Sequence, residues 1–241
     1  MNKAKLLLLT VILSGLIALL LPSFSVPAAS ARLRVHFVHT AAGKPLLQDS
    51  LYLNPFNETY SVSKLKYYVS NWHPGNKGSC FLINAFSDPV ISLDIPPGQY
   101  ESISFLLGVD SVHNSSGAQT GALDPLNDMF WTWNTGYVMF KLEGVSAASK
   151  SDLNRIEQHT GGYRSPFATM RQVNIVFPAG EKMEAGKTYD LNIEMNLDKY
   201  WKGANEIRIA EHPVITKPGN LAVMVADNFP GMFSFKSFLS H

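Results

Sequence analysis

Apolar and polar residues alternate along residues 189–197. Five apolar side chains share one face of this segment: Tyr189, Leu191, Ile193, Met195 and Leu197. Such period-two alternation predicts a β-strand with one buried face. Similar apolar patterns predict further strands at residues 33–40, 65–71, 80–85, 90–94, 100–108, 137–142, 171–177, 207–210 and 232–235.

Turn-forming residues separate these segments. Gly, Pro and Asn cluster between the predicted strands, at residues 74–76, 96–98, 178–180 and 218–220, and such clusters mark turns. Helix is expected for only a turn or two, near residues 197–202. Many short strands joined by turns are typical of a sandwich or barrel. The sequence therefore predicts an all-β, single-domain β-sandwich, Ig-like or jelly-roll-like in kind.

The segment 110–136 interrupts this succession of strands. It is rich in Asn, Ser, Gly, Asp and Pro, and it ends in the run Met129-Phe130-Trp131-Thr132-Trp133. Loops of this length in compact domains are usually functional or disordered, and two tryptophans argue against disorder. We therefore expect a long Trp-containing loop with a functional role.

Residues 1–31 carry the pattern of a Sec signal peptide. Lys3 and Lys5 precede the apolar run 6–21, Pro22 ends that run, and Ala29-Ser30-Ala31 supplies a small-residue cleavage site. Cleavage after Ala31 would leave a mature domain of residues 32–241 without a stable membrane anchor, periplasmic or secreted. The apolar run is nearly long enough to span a bilayer, so an uncleaved anchor is the alternative.

Charge, cysteine content and the absence of common motifs exclude several classes of function. The chain of 241 residues has 20 Lys and Arg against 19 Asp and Glu, which argues against nucleic-acid binding because that needs a basic face. Cys80 is the lone cysteine, so neither an internal disulfide nor a thiolate-held zinc site is expected. Nucleophile-elbow, P-loop, HExxH and dinucleotide-binding motifs are missing, so no enzymatic activity is expected.

Two histidines are candidates for chemistry. Alternation places His39 on the apolar face of the first strand, where a neutral imidazole needs a partner. His159 precedes Gly161 and Gly162, which would allow close approach of the backbone. Each histidine alone is more often structural, but imidazole together with a Met thioether is chemistry that suits copper.

The order of several motifs resembles that of the MbnP-like family. The motifs are 108–114, 121–125, Met129-Phe-Trp-Thr-Trp-Asn-Thr-Gly-Tyr137, 141–146 and His159-Thr-Gly-Gly162, and segment 226–233 resembles the close of Bacteroidetes-type members. The resemblance covers the whole mature chain. It implies an exported, β-sandwich-like copper-binding protein, associated in some genomes with methanobactin uptake.

The resemblance also implies site residues. By position, His39 and His159 match ligand histidines, and Met129 is a weak axial candidate. Trp131 or Trp133, between which the sequence does not decide, would be oxidised to kynurenine by a haem-containing oxidase partner. The chain departs from the proteobacterial branch in lacking a cysteine after the His-x-Gly motif and in having a displaced His113.

Two functions follow from this sequence. The first is copper acquisition, sequestration or delivery without turnover chemistry, which requires His39 and His159 to converge beside the Trp-containing loop. The second is a non-metal binding module that offers an aromatic platform to a glycan or peptide. The platform would consist of Trp131, Trp133, Tyr137 and Tyr163.

Overall fold

The structure, a computed structural model, describes residues 29–76, 78–87, 90–117, 119–132 and 135–241. Its strands within these ranges are β1 Ala31–Ala41, β2 Lys44–Pro45, β3 Leu51–Leu53, β4 Thr59–His73, β5 Cys80–Asn84, β6 Val90–Ile95, β7 Gly98–Leu107, β8 Phe130–Thr132, β9 Gly136–Val145, β10 Arg155–Gly161, β11 Arg171–Met183, β12 Thr188–Asn196, β13 Val214–Ile215 and β14 Phe233–Ser240. The helices are α1 Ser111–Ser115, α2 Asp198–Trp201 and α3 Asn220–Met232, with 3-10 turns at Gly121–Leu123, Pro125–Asn127 and Asp152–Asn154.

One sheet has five strands, with β1 at its centre. Its order is β14-β12-β1-β2, and β6 pairs with the remaining length of β1. The pairing of β1 with β12 is parallel, and it places Arg34 opposite Asp190 and His39 opposite Met195. Alternation along β1 buries Leu33, Val35 and Phe37, so this face of the sheet points toward the second sheet.

The second sheet has nine strands and is built around the 15-residue strand β4. Its order is β11-β7-β4-β9-β10-β13, while β3 and β5 pair with β4 and β8 pairs with β9. The register places Lys66 opposite Lys141 and Lys141 opposite His159. Three successive strands therefore carry these side chains in one row across the sheet.

Two apolar clusters flank the nine-stranded sheet. The larger cluster fills the space between the sheets and includes Tyr67, Trp72 and Phe105. The smaller one, here called the satellite cluster, includes Tyr68 and Met129. Because Tyr67 and Tyr68 are neighbours on β4, their side chains leave opposite faces of the strand, so the satellite cluster lies on the outer face. The all-β sandwich predicted from the sequence is thus confirmed, with the long loop packed outside it.

Two of the sequence predictions about elements are wrong. Residues 220–232 form helix α3, whose buried residues recur at helical spacing, but Pro230 and Gly231 in its last turn obscured that signal. Residues 207–210 do not form a strand, although Ile207 and Ile209 are buried. The amides of Ile209 and Ala210 instead donate to the Glu58 carboxylate, each over 2.9 Å, which replaces a strand partner.

The expected signal peptide lies mostly outside the described residues. Residues 1–28 are not described, and β1 begins at Ala31, which is buried and paired with Ile95. Cleavage and export therefore stay predictions. No helix in the described part of the chain is long and apolar enough to cross a membrane.

Candidate metal centre

His39 lies between the two sheets, as alternation along β1 predicts. Its side chain is nearly covered, with 8% of the residue surface exposed, and its Nε2 lies 3.0 Å from the Tyr67 hydroxyl. Burial lowers the pKa of His39 to about 4, because it disfavours the charged imidazolium. His39 is therefore a neutral residue of the sandwich interior.

His159 lies on the outer face of the nine-stranded sheet. Its neighbours on β10, Gln158 and Thr160, are fully buried, so alternation directs His159 outward. Its Nε2 lies 2.8 Å from Oε1 of Glu143 on β9, and its Nδ1 lies 4.0 Å from Oε1 of Glu157. The imidazole thus has one carboxylate partner and a second carboxylate nearby.

The structure does not bring the two histidines together. His39 contacts Tyr67, which points into the sandwich from β4. His159 belongs to the row of Lys66 and Lys141 on the other face of the same sheet. Because the backbone of the sheet separates the two imidazoles, His39 and His159 cannot belong to the same ligand set in this fold.

Trp131 lies beside the strand that carries His159. A Cβ added to Gly161 would be 2.7 Å from ring atom Cζ3 of Trp131, so the glycine is what allows the indole to approach β10. Gly161 follows His159 by two residues, across an irregularity in the pairing of β10 with β9. The strand and the Trp-containing loop are thus in contact near His159.

Met129 and Trp133 are the other two site residues predicted in the loop. Met129 is fully buried in the satellite cluster, where its side chain fills space under the loop. Trp133 lies outside the described residues. Of the tryptophans in this loop, Trp131 is described, and it lies against the sheet.

An ionic network beneath the loop surrounds His159. Lys64 Nζ lies 2.9 Å from Asp128 Oδ2 and 3.0 Å from Glu143 Oε2. Lys141 Nζ, which is buried, lies 3.0 Å from Asp128 Oδ1, and Lys66 donates to the Asn127 carbonyl over 3.0 Å. Since Asn127 and Asp128 belong to the loop and the lysines to the sheet, the network holds the loop on the outer face.

This network escaped the sequence prediction, although the sequence contains a signal for it. The runs Lys64-Leu65-Lys66 and Lys141-Leu142-Glu143 place charges on one face of a strand and a buried leucine on the other. Their alternation marks the charged face as outward. Only the register, which puts the two runs side by side, shows that the charges pair.

The network lowers the pKa of both its carboxylates. The hydrogen bond from His159, followed by that from Lys64, lowers the pKa of Glu143 to about 2, although burial opposes the shift. Burial would raise the pKa of Asp128, but hydrogen bonds from Lys64 and Lys141 outweigh it and lower the pKa to about 2. Both groups therefore stay ionised in mild acid.

Acid is expected to reveal the contribution of Glu143 to stability. Its pKa is lowered from 4.5 to about 2, so the ionised form stabilises the fold above about pH 4.5, and this contribution is lost as the pH falls toward about 2. Between about pH 5 and about pH 2, wild type should lose about 2 kcal/mol more free energy of unfolding than Glu143→Gln. Urea unfolding at both pH values measures this difference, and equal losses would contradict the assignment.

Two of the four rings in the predicted aromatic platform, Tyr137 and Tyr163, are covered in the structure. Tyr137 is fully buried, and its hydroxyl donates to the Leu123 carbonyl over 2.7 Å. Tyr163 is 8% exposed and carries the Arg164 guanidinium 4.9 Å from its ring centre. Because both rings are covered, they do not offer an open stacking surface for a glycan.

Clustered metal ligands are also missing from the described ranges. Within them, no group of three or more His, Cys, Asp or Glu side chains could hold a metal ion. The outer face offers one imidazole, His159, with the carboxylates of Glu143 and Glu157 and the indole of Trp131 close by. A copper site built from the unmodified side chains around His159 would thus lack a second nitrogen ligand.

Comparison with known proteins identifies the family. The model of the MbnP family matches residues 30–218. The solved structure of MbnP from Methylosinus trichosporium superposes with a TM-score of 0.52 at 13% identity, covering 87% of this chain and 98% of that one. At this identity the superposition shows a shared fold. No curated protein matches the sequence. The family match spans most of the chain and confirms the resemblance seen in the sequence motifs: the chain belongs to the MbnP family.

Proposed function

We propose that this chain is an exported copper-binding protein that acquires, sequesters or delivers the metal and performs no turnover chemistry of its own. Membership of the MbnP family over residues 30–218 supports the link to copper. The proposed position of the copper site is based on one observation: Trp131 contacts β10 close to the outward-facing His159. Copper is here the cargo, and the site is the outer face of the nine-stranded sheet.

His159 is the proposed imidazole ligand. Glu143 accepts the hydrogen bond from Nε2–H over 2.8 Å, which leaves the lone pair of Nδ1 for a metal. Carboxylates commonly hold ligating histidines in this way, by fixing the tautomer and the ring orientation. Imidazole nitrogen suits copper in both of its common oxidation states.

The second nitrogen ligand would come from Trp131. In the proposed step, a haem-containing oxidase uses dioxygen to cleave the C2–C3 bond of the indole, and hydrolysis then releases the C2 carbon as formate. The kynurenine that remains has a free aromatic amine. Trp131 contacts the strand of His159 at Gly161, on the same face of the sheet. The oxidised residue would therefore supply the ligand that the unmodified side chains lack. His39 has no part in this site, because it faces the interior.

The composition of the native protein tests this proposal. We expect protein exported by copper-fed cells to hold close to one copper ion per chain, and its intact mass to show loss of the N-terminal segment and conversion of one tryptophan to kynurenine. Metal analysis and intact-mass spectrometry of the same sample measure all three. A Trp131→Phe variant is the matched control and should lack the mass change of oxidation.

Two results would overturn parts of the proposal separately. Copper at background level in the wild-type protein would reject the copper function. Retention of the kynurenine mass change in Trp131→Phe would instead show that another tryptophan is oxidised, and the assignment of Trp131 would fall.

A further inference from the structure

A cavity of about 430 Å³ opens beside the C-terminal half of β1. It lies between the segment that follows β2 and the segment that follows β5, and its lining includes Phe37, His39, Leu46, Gln48, Ala85 and Phe86. The volume falls in the range that small-molecule sites occupy. The cavity is separate from the proposed copper site, which lies on the outer face of the nine-stranded sheet.

His39 contributes an uncommitted hydrogen-bond donor to this cavity. Its Nε2 contacts the Tyr67 hydroxyl over 3.0 Å, and that hydroxyl has no other partner among the described residues. A fully buried phenol that did not donate would lose a hydrogen bond, so Tyr67 donates to Nε2. A neutral imidazole then carries its proton on Nδ1, which makes no hydrogen bond within the described part of the chain.

The remaining lining groups are apolar or already paired. Phe37 and Leu46 present buried apolar surface. Gln48 donates to the Ser63 carbonyl over 3.1 Å and Ser87 to the Asn84 carbonyl over 3.1 Å. No carboxylate, ammonium or guanidinium is among the described lining residues. Aromatic and aliphatic walls combined with a few placed polar groups are the usual design of a site for a small organic ligand.

We propose that this cavity binds an uncharged small molecule through a hydrogen-bond-accepting oxygen, with His39 Nδ1–H as the donor. The oxygen satisfies the Nδ1 donor of His39, a residue that is 8% exposed, and the rest of the molecule covers the aromatic and aliphatic walls. A charged ligand is disfavoured because the described lining residues provide no opposite charge and burying an unpaired charge is costly. This activity goes beyond copper binding and does not depend on it.

Two probes that differ in one group test the proposal. Acetophenone carries a carbonyl oxygen, and α-methylstyrene has a CH₂ group in its place. We expect acetophenone to bind in the millimolar range, as a fragment of this size allows, and about fivefold more tightly than α-methylstyrene, the effect of one net hydrogen bond. Titrations followed by NMR on protein with ¹⁵N-labelled histidine measure both affinities and show whether the His39 Nδ1 resonance shifts.

A double variant removes the donor without leaving an orphan hydroxyl. In His39→Phe with Tyr67→Phe both partners become apolar, so folding is expected to persist, and the preference for acetophenone should disappear. His36→Phe is the matched control, since His36 lies on the other face of β1 beside Asp190, and it should bind both probes as wild type does.

Three outcomes of the binding experiments would overturn the proposal. They are the absence of saturable acetophenone binding, equal affinity of wild type for the two probes, and persistence of the preference in the double variant. If the double variant does not fold, the NMR spectrum of wild type alone tests the proposal. A proton on Nε2 of His39 instead of Nδ1 would contradict the proposed donor.

Discussion

Replacing His159 with alanine is expected to weaken copper binding about 100-fold or more. Removing a residue that is hydrogen-bonded to a metal ligand typically weakens metal affinity about 10- to 100-fold. Here the proposed ligand itself is removed. The fold should persist, because the side chain lies on the outer face and its hydrogen-bond partner Glu143 keeps Lys64 at 3.0 Å. Competition with a chromophoric Cu(I) chelator measures the change.

The decisive comparison is with the other candidate histidine. His39→Gln retains hydrogen-bonding capacity toward Tyr67, and it should leave copper affinity within about twofold because His39 lies on the opposite side of the sheet. His36→Ala, on the outer face of the five-stranded sheet, is a second control for loss of an imidazole. If His39→Gln loses copper while His159→Ala retains it, the proposed location is wrong although the copper function stands.

The largest expected effect on stability is that of Gly144→Ala. A Cβ at this position would lie 1.9 Å from the carbonyl oxygen of Ser61 and 2.9 Å from its carbonyl carbon. Both are backbone atoms of β4, where that strand pairs with β9, so the clash cannot be relieved by turning a side chain. We expect a loss of about 4 kcal/mol or more in the free energy of unfolding.

Gly231→Ala is the matched control for this substitution. Gly231 lies in helix α3, and nothing is within 4 Å of its added Cβ. Alanine favours the helix over glycine by about 1 kcal/mol at most, so this variant should be as stable as wild type or slightly more so. Urea unfolding of both variants measures the contrast, and a loss of under about 1 kcal/mol for Gly144→Ala would contradict the close approach of the strands.

Much of the sandwich was predictable because alternation is a local property. The strict pattern of residues 189–197 became β12 and that of residues 33–40 became β1, and the same rule correctly placed His39 inside. The rule failed at residues 207–210, because alternating burial there depends on the distant carboxylate of Glu58. No local pattern contains that contact.

The candidate site was less predictable because it depends on which face of which sheet each strand presents. Sequence motifs named His39 and His159 together, yet only the register of β9 with β10 and β4 shows that His159 faces outward among charged residues. The contact of Trp131 with Gly161 depends on the path of a long loop over that face. Strand register and the path of a loop depend on contacts between distant residues, so they could not be predicted from the spacing of motifs along the chain.

The parallel pairing of β1 with β12 has a consequence for synthesis. Arg34 on β1 and Asp190 on β12 lie opposite each other but are 156 residues apart in the chain. Strand β1 therefore leaves the ribosome long before β12 is synthesised. Closing so large a loop is slow. Although β2 and β6 can pair with one edge of β1 earlier, its other edge stays unpaired in the meantime. Until residues 188–196 emerge, the polypeptide remains an open substrate for chaperones, and completion of the five-stranded sheet is among the last events of its biogenesis.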